Sequence, residues 1–261
     1  MKKVLILNYH LIDNKTYEFD SFGGIYAVKI EDFKEQMQVL KDNNIPVVSL
    51  KEVLNNNITE NFNVAITFDD GNPSDFDVVY PVLKRHNYTA SFFLCIQNIK
   101  ENNSAIWEHY RKMKREGFEI ASHGLTHRDL TKIEDNLLIK EMQNSKLIIE
   151  KNLETSVLFF SLPFGMYNKN VIKSAKDAGY KSLLSTHFKF ADPEKKSFLS
   201  GRWSIKRTTS IDDFKLIIQN DRLTILKYRC ISFMKKFFIS GMGSSLTNKL
   251  YTFKNKHLSK K

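Results

Sequence analysis

The run Val64-Ala65-Ile66-Thr67-Phe68-Asp69-Asp70-Gly71 joins a short apolar segment to two adjacent carboxylates and a glycine. Its length and composition predict a buried strand, and Gly71 lets the backbone turn sharply where the strand stops. Successive side chains on a strand point to opposite faces, so two acids that serve one site need irregular backbone at the strand's end. There one carboxylate could hold a metal while its neighbour takes a proton from water. An Asp-Gly pair after a strand is also a common turn signal, so the run alone does not fix a function.

The same grammar repeats on both sides of this run. Val4 to Leu7 reads as a first buried strand, with Asn8-Tyr9-His10 at its end and a polar loop from Ile12 to Gly24. Ile30, Phe33, Met37 and Leu40 recur at helical spacing and predict a helix over Ile30 to Asn43. Pro46 to Val48 reads as a short strand, and Ser49-Leu50-Lys51-Glu52 is a capping box that opens a short helix. Downstream, strands are predicted at Ala90–Cys95, Phe118–Ala121, Val157–Phe160, Tyr180–Leu184 and Arg202–Lys206. Helices are predicted from Pro73 to His86, Ser104 to Glu116, Lys132 to Lys151 and Val171 to Ala178. Such alternation implies βα units on a parallel sheet, and in a (β/α) barrel the C-terminal strand ends share one face. The expectation is therefore a distorted, TIM-like (β/α) barrel of about seven strands over residues 1–220, followed by a basic helical tail, 221–261.

The chain has 261 residues, of which 42% are hydrophobic and 26% charged, the balance of an ordinary globular protein. Cys95 and Cys230 form neither a metal-type pair nor a disulfide framework. The apolar run after Met1-Lys2-Lys3 is only Val4 to Leu7, shorter than the roughly 7–15 residues of a signal peptide, so a cytoplasmic location is expected. The net charge is +11, and Asp221 to Lys261, with ten Lys or Arg and one acid, carries +9 of it. A nearly neutral body argues against a nucleic-acid enzyme, whose charge would line the working face. In the tail, Leu223, Leu226, Cys230, Phe233 and Phe237 alternate with Arg222, Lys227, Arg229, Lys235 and Lys236. Two readings stand: peripheral contact with an anionic membrane, or a terminal helix packed on the barrel with its charges in water.

His123 and His127 lie four residues apart just past a predicted strand, with Gly124 between them. Imidazoles suit zinc and related divalent ions, and two histidines with one carboxylate leave positions open for water and substrate. An isolated His-x-x-x-His is a weak signal. Together with the Asp-Asp-Gly strand end it resembles the polysaccharide deacetylase family, also called the NodB-homology or carbohydrate esterase family 4 domain. Thr67-Phe68-Asp69-Asp70-Gly71 is similar to that family's first motif, and Ser122-His123-Gly124-Leu125-Thr126-His127 to its second.

The resemblance covers roughly residues 1–215 and implies roles. Asp69 would be the general base, and Asp70, His123 and His127 would hold a divalent metal, zinc by preference. Phe164, in the retained Pro163-Phe164-Gly165, would give its backbone N–H to the oxyanion. Many members carry an Arg where Ser161 stands here, and the late Leu-x-His motif is unconvincing, with His187 read as a loop histidine. Both departures resemble the exopolysaccharide branch acting on poly-N-acetylglucosamine, in which a Tyr-His near the N-terminus supplies the acid; Tyr9-His10 matches it, making His10 the expected acid. Tyr9, Pro163 and Arg202 are the expected substrate contacts. Arg202 is also a candidate for the missing Arg, with a barrel-rim ion pair as the alternative.

The implied activity is metal-dependent removal of an N-acyl group, acetyl by preference, from an amino sugar in cell-surface glycan synthesis. Two alternatives are a deformylase or deacetylase of a lipid- or nucleotide-linked monosaccharide, and an inactive glycan-binding module on the same fold.

Overall fold

A computed structural model describes residues 2–13, 22–99 and 103–241. The strands are β1 (Lys3–Tyr9), β2 (Phe62–Asp70), β3 (Ser91–Leu94), β4 (Glu119–Ser122), β5 (Phe159–Ser161), β6 (Ser182–Leu184), β7 (Leu199–Ser200) and β8 (Trp203–Ser204). Every neighbouring pair is parallel, in the order β7-β6-β5-β4-β3-β2-β1-β8. Only Gly201-Arg202 separates β7 from β8, so the chain itself joins the two ends of the sheet. The two short strands act as one broken stave of a distorted (β/α) barrel. Counted once, that stave gives the expected seven.

The helices cover the sheet in chain order. They are α1 (Phe22–Tyr26), α2 (Ile30–Asp42), α3 (Leu50–Leu54), α4 (Tyr80–Arg85), α5 (Ile96–Ile99) and α6 (Ser104–Arg115). They continue with α7 (Asp135–Leu153), α8 (Lys169–Asp177), α9 (Ile211–Ile218) and α10 (Arg222–Gly241). The capping box that opens α3 is present in full: Ser49 accepts from the N–H of Glu52, whose carboxylate accepts from the N–H of Ser49. Three expectations need correction. Pro46–Val48 contributes only the isolated bridge Val47–Val64, and the helix after Pro73 begins with a π turn at Asp75–Val79. The presumed loop before Gly24 contains part of α1, while residues 14–21 lie outside the described residues.

Strand alternation sorts the buried side chains into two layers. Leu5, Leu7 and Tyr9 of β1, Val64, Ile66 and Phe68 of β2, and Phe92 and Leu94 of β3 face the helices, where Phe33 and Met37 of α2 meet them. Val4, Ile6, Ala65, Phe93, Ala121, Phe159 and Leu184 form a smaller cluster inside the barrel. On this inward face polar residues follow the apolar ones toward the C-terminal ends: Asn8, Thr67, Asp69 and Ser161, all buried. The site is the top layer of the barrel interior.

Candidate active site

Asp69 belongs to the regular strand and points inward, whereas Asp70 has φ +83°. That left-handed turn breaks the alternation and brings two consecutive acids to one site, as the Asp-Asp-Gly reading required. Gly71, at φ +72°, continues the turn where a Cβ would lie 2.7 Å from Ile99. The side-chain amide of Asn98 donates to the Asp70 carbonyl at 3.2 Å and that of Asn72 to the Asp69 carbonyl at 3.1 Å, fixing the turn.

Asp70 Oδ1 stands 3.4 Å from His123 Nε2 and 3.5 Å from His127 Nε2. Ligand atoms of the three residues all lie within 4.8 Å of one another, the one such cluster found among the described residues. His123 Nδ1 lies 2.8 Å from the Ser161 carbonyl; the carbonyl can only accept, so Nδ1 carries a hydrogen and Nε2, on the Asp70 side, is the atom that could ligate a metal. Asp70 Oδ1 is buried with no hydrogen-bond partner. This donor set fits a divalent cation. Burial works against the charged ring of His123, but Asp69 and Asp70 outweigh it and raise its pKa, while burial and His123 lower that of His127. His123→Ala is expected to lose most of the bound metal with the fold intact, as elemental analysis and circular dichroism would report. Unchanged metal content would remove these ligands from the account.

Asp69 is held by a buried fork. Arg202 donates from Nη1 to Asp69 Oδ1 at 2.8 Å and from Nη2 to Oδ2 at 2.7 Å. Nη1 also reaches Thr67 Oγ1 at 3.1 Å, Nη2 reaches Ser161 Oγ at 2.7 Å, and Nε reaches the Ser185 carbonyl at 3.4 Å. Ser161 Oγ in turn donates to Asp69 Oδ2 at 3.0 Å. Burial alone would raise the carboxyl's pKa, but Arg202, His123 and His10 overcome it and hold Asp69 well below the usual carboxylate range. Arg202 thus holds Asp69 and Ser161 together, as the ion pair that the sequence left as one of two readings. Fully buried and with its guanidinium spent on Asp69, it is not the substrate contact expected from sequence.

Tyr9 is corrected on similar grounds. It lies on the helix-facing side of β1, stacked on Phe68 at 5.3 Å, with its hydroxyl donating to Gln36 Oε1 at 2.7 Å. Alternation then leaves His10, one residue past the strand, beside the site. Its pKa is lowered: burial, with the charges of Arg202 and His123, outweighs the upward pull of Asp70 and Asp69. Its ring is 4.5 Å from that of Tyr26, an α1 residue the sequence did not single out. Pro163 is buried, and Phe164, a residue 45% exposed, adopts φ +59° with its ring 4.8 Å from that of His127. The turn requires Gly165: φ is +71°, and an added Cβ would sit 2.1 Å from Thr186 Oγ1. The ring of His187 lies 5.8 Å from that of Tyr167.

Sequence reasoning also missed Glu141. Buried on the inner face of α7, it accepts from the N–H groups of Leu125 and Thr126 at 2.8 and 3.1 Å and from the Thr126 hydroxyl. It thereby clamps the loop that carries both histidines. Its signal was a glutamate sharing the apolar stripe of Leu138, Met142 and Ser145.

Comparisons with known proteins agree with this geometry. The sequence model of the family described as polysaccharide deacetylase matches residues 56–183. YxkH of Bacillus subtilis (strain 168), a polysaccharide deacetylase by name, is 28% identical over 188 residues; the match covers 70% of this chain and 64% of that one, just under two thirds of its length. A poly-beta-1,6-N-acetyl-D-glucosamine N-deacetylase of Staphylococcus aureus is 26% identical over 219 residues, covering 74% of this chain and 76% of that protein. Among solved structures, the Streptococcus pyogenes deacetylase PplD in complex with acetate superposes with a TM-score of 0.73 at 26% identity, covering 83% of this chain and 97% of that one. With Thr67-Phe68-Asp69-Asp70-Gly71 and His123-Gly124-Leu125-Thr126-His127 on strand ends of the same barrel, residues 56–183 match the polysaccharide deacetylase family in both motifs and fold.

Proposed function

We propose that this chain hydrolyses the N-acetyl groups of an amino-sugar glycan, with Asp69 as base, His10 as acid, and Asp70, His123 and His127 holding a divalent ion, zinc by preference. The observation that carries the reading is the division of labour between adjacent acids: Asp69 is pinned ionised by Arg202, while Asp70 Oδ1 is left for the histidine pair. When bound, the ion would polarise the acyl carbonyl and make water a better nucleophile. Asp69 would take a proton as the water oxygen bonds to the carbonyl carbon. The N–H of Phe164 would face the developing oxyanion, and His10 would give a proton to the sugar nitrogen as the C–N bond breaks, leaving acetate and a free amine. A pKa held this low makes Asp69 a weak base, but one that is always available.

An acetyl substrate is supported by the acetate in PplD, and a glycan by the staphylococcal relative's named substrate. A cell-surface polymer is the fuller form of this proposal. The inactive-module reading rested on Ser161, and Arg202 removes its basis. The test is amine release from N-acetylglucosamine oligomers of increasing length. Release should vanish on chelation, return with zinc, and fall by about a hundredfold in His10→Ala at unchanged metal content. No release from any oligomer by metal-loaded protein would sink the proposal.

A further inference from the structure

Helix α10 presents two distinct apolar sides. Ile225 is buried against the barrel, and the ring of Tyr228 lies 5.2 Å from that of Trp203, its hydroxyl donating to Asp213 at 2.9 Å. Leu223, Leu226, Cys230 and Met234 lie on another side. At 100° per residue these four fall within roughly 80° of one another, roughly opposite Ile225 and Tyr228. Leu223 is 78% exposed, Leu226 57% and Met234 49%, and Cys230 is exposed as well. A single exposed leucine needs no explanation; a continuous stripe of four on a docked helix does.

The charge around the stripe narrows what can cover it. Arg222, Lys227 and Arg229 are exposed on its flanks. From Arg222 to Lys261 the sequence has ten Lys or Arg and no Asp or Glu, against a net +2 for the first 220 residues. A second copy packed stripe to stripe would bring these like charges together with no acid of that segment to answer them. Nucleic acid would satisfy the charge but make no use of leucine and methionine. An anionic lipid surface answers both, taking the apolar stripe among its acyl chains and the basic groups at its headgroups. Among the described residues no helix is long and apolar enough to cross a membrane.

We infer that the outer side of α10 docks on anionic lipid bilayers, lying in the plane of the headgroups. This inference is independent of the hydrolytic reaction. Its test is co-sedimentation of the full chain with vesicles of phosphatidylcholine alone and of phosphatidylcholine mixed with phosphatidylglycerol. Binding should be at least about tenfold stronger to the anionic vesicles and should weaken as salt rises. The full-chain variant L223E/L226E should lose binding at least about tenfold with its melting temperature and metal content unchanged, because both leucines face away from the core. Should that variant fail to fold, R222Q/R229Q, which alters only exposed charges, should still weaken anionic-vesicle binding severalfold. Equal sedimentation with both lipids, or unchanged binding by a folded variant, overturns the inference. So would retention on duplex DNA, or dimerisation abolished by L223E/L226E, in either case without vesicle binding.

Discussion

Asp69→Asn is expected to lower kcat for amide hydrolysis by about 10³–10⁴ while leaving metal content unchanged. The amide keeps nearly the shape of the carboxylate but cannot take the proton of the attacking water. Because Asp69 is buried in its bonds to Arg202 and Asp70 is the acid that stands with the two histidines, the two losses should separate cleanly. Elemental analysis on the same preparation is the control. A folded variant that has lost its metal would mean that both acids are ligands, and the roles would have to be redrawn.

Arg202→Met is expected to destabilise the fold by about 3–5 kcal/mol, since it leaves the Asp69 carboxylate buried without its counter-charge. The denaturation midpoint reads this directly. Two companions separate a charge effect from lost packing. Arg202→Lys keeps the charge but not the two-pronged geometry seen at 2.7 and 2.8 Å, and should fall between wild type and Arg202→Met. The double variant D69N/R202M, with neither charge left, should be more stable than R202M alone. Should D69N/R202M lose the sum of the two single losses, the pair is not coupled and the argument fails.

Sequence showed most of the site and little of its bracing. Asp69, Asp70, His123 and His127 were legible because each lies at the C-terminal end of a strand or within a few residues past it, so local pattern carried the geometry. His10 was legible for the same reason. Tyr9 was misplaced, although the alternation of Leu5, Leu7 and Tyr9 already put it on the helix-facing side. Arg202 was ambiguous because its partner lies 133 residues away and is chosen by how the sheet closes. The closing strands β7 and β8 are two residues each, too short for any periodicity to reveal. Glu141 was hidden differently: a helix pattern marks which face is buried, not whether an acid there finds backbone donors in a loop sixteen residues back.

The broken stave between β7 and β8 has a consequence for how the molecule is made. Gly201-Arg202 closes the barrel only after β1 to β6 in chain order, so a chain made from its N-terminus presents those six strands first. Until then Asp69 has no guanidinium to meet it, and a carboxylate without a partner resists leaving water. A growing chain therefore cannot seal the sheet before these residues are made. When residue 202 arrives, the chain joins the two ends of the sheet and the Asp69 carboxylate meets its guanidinium in the same step.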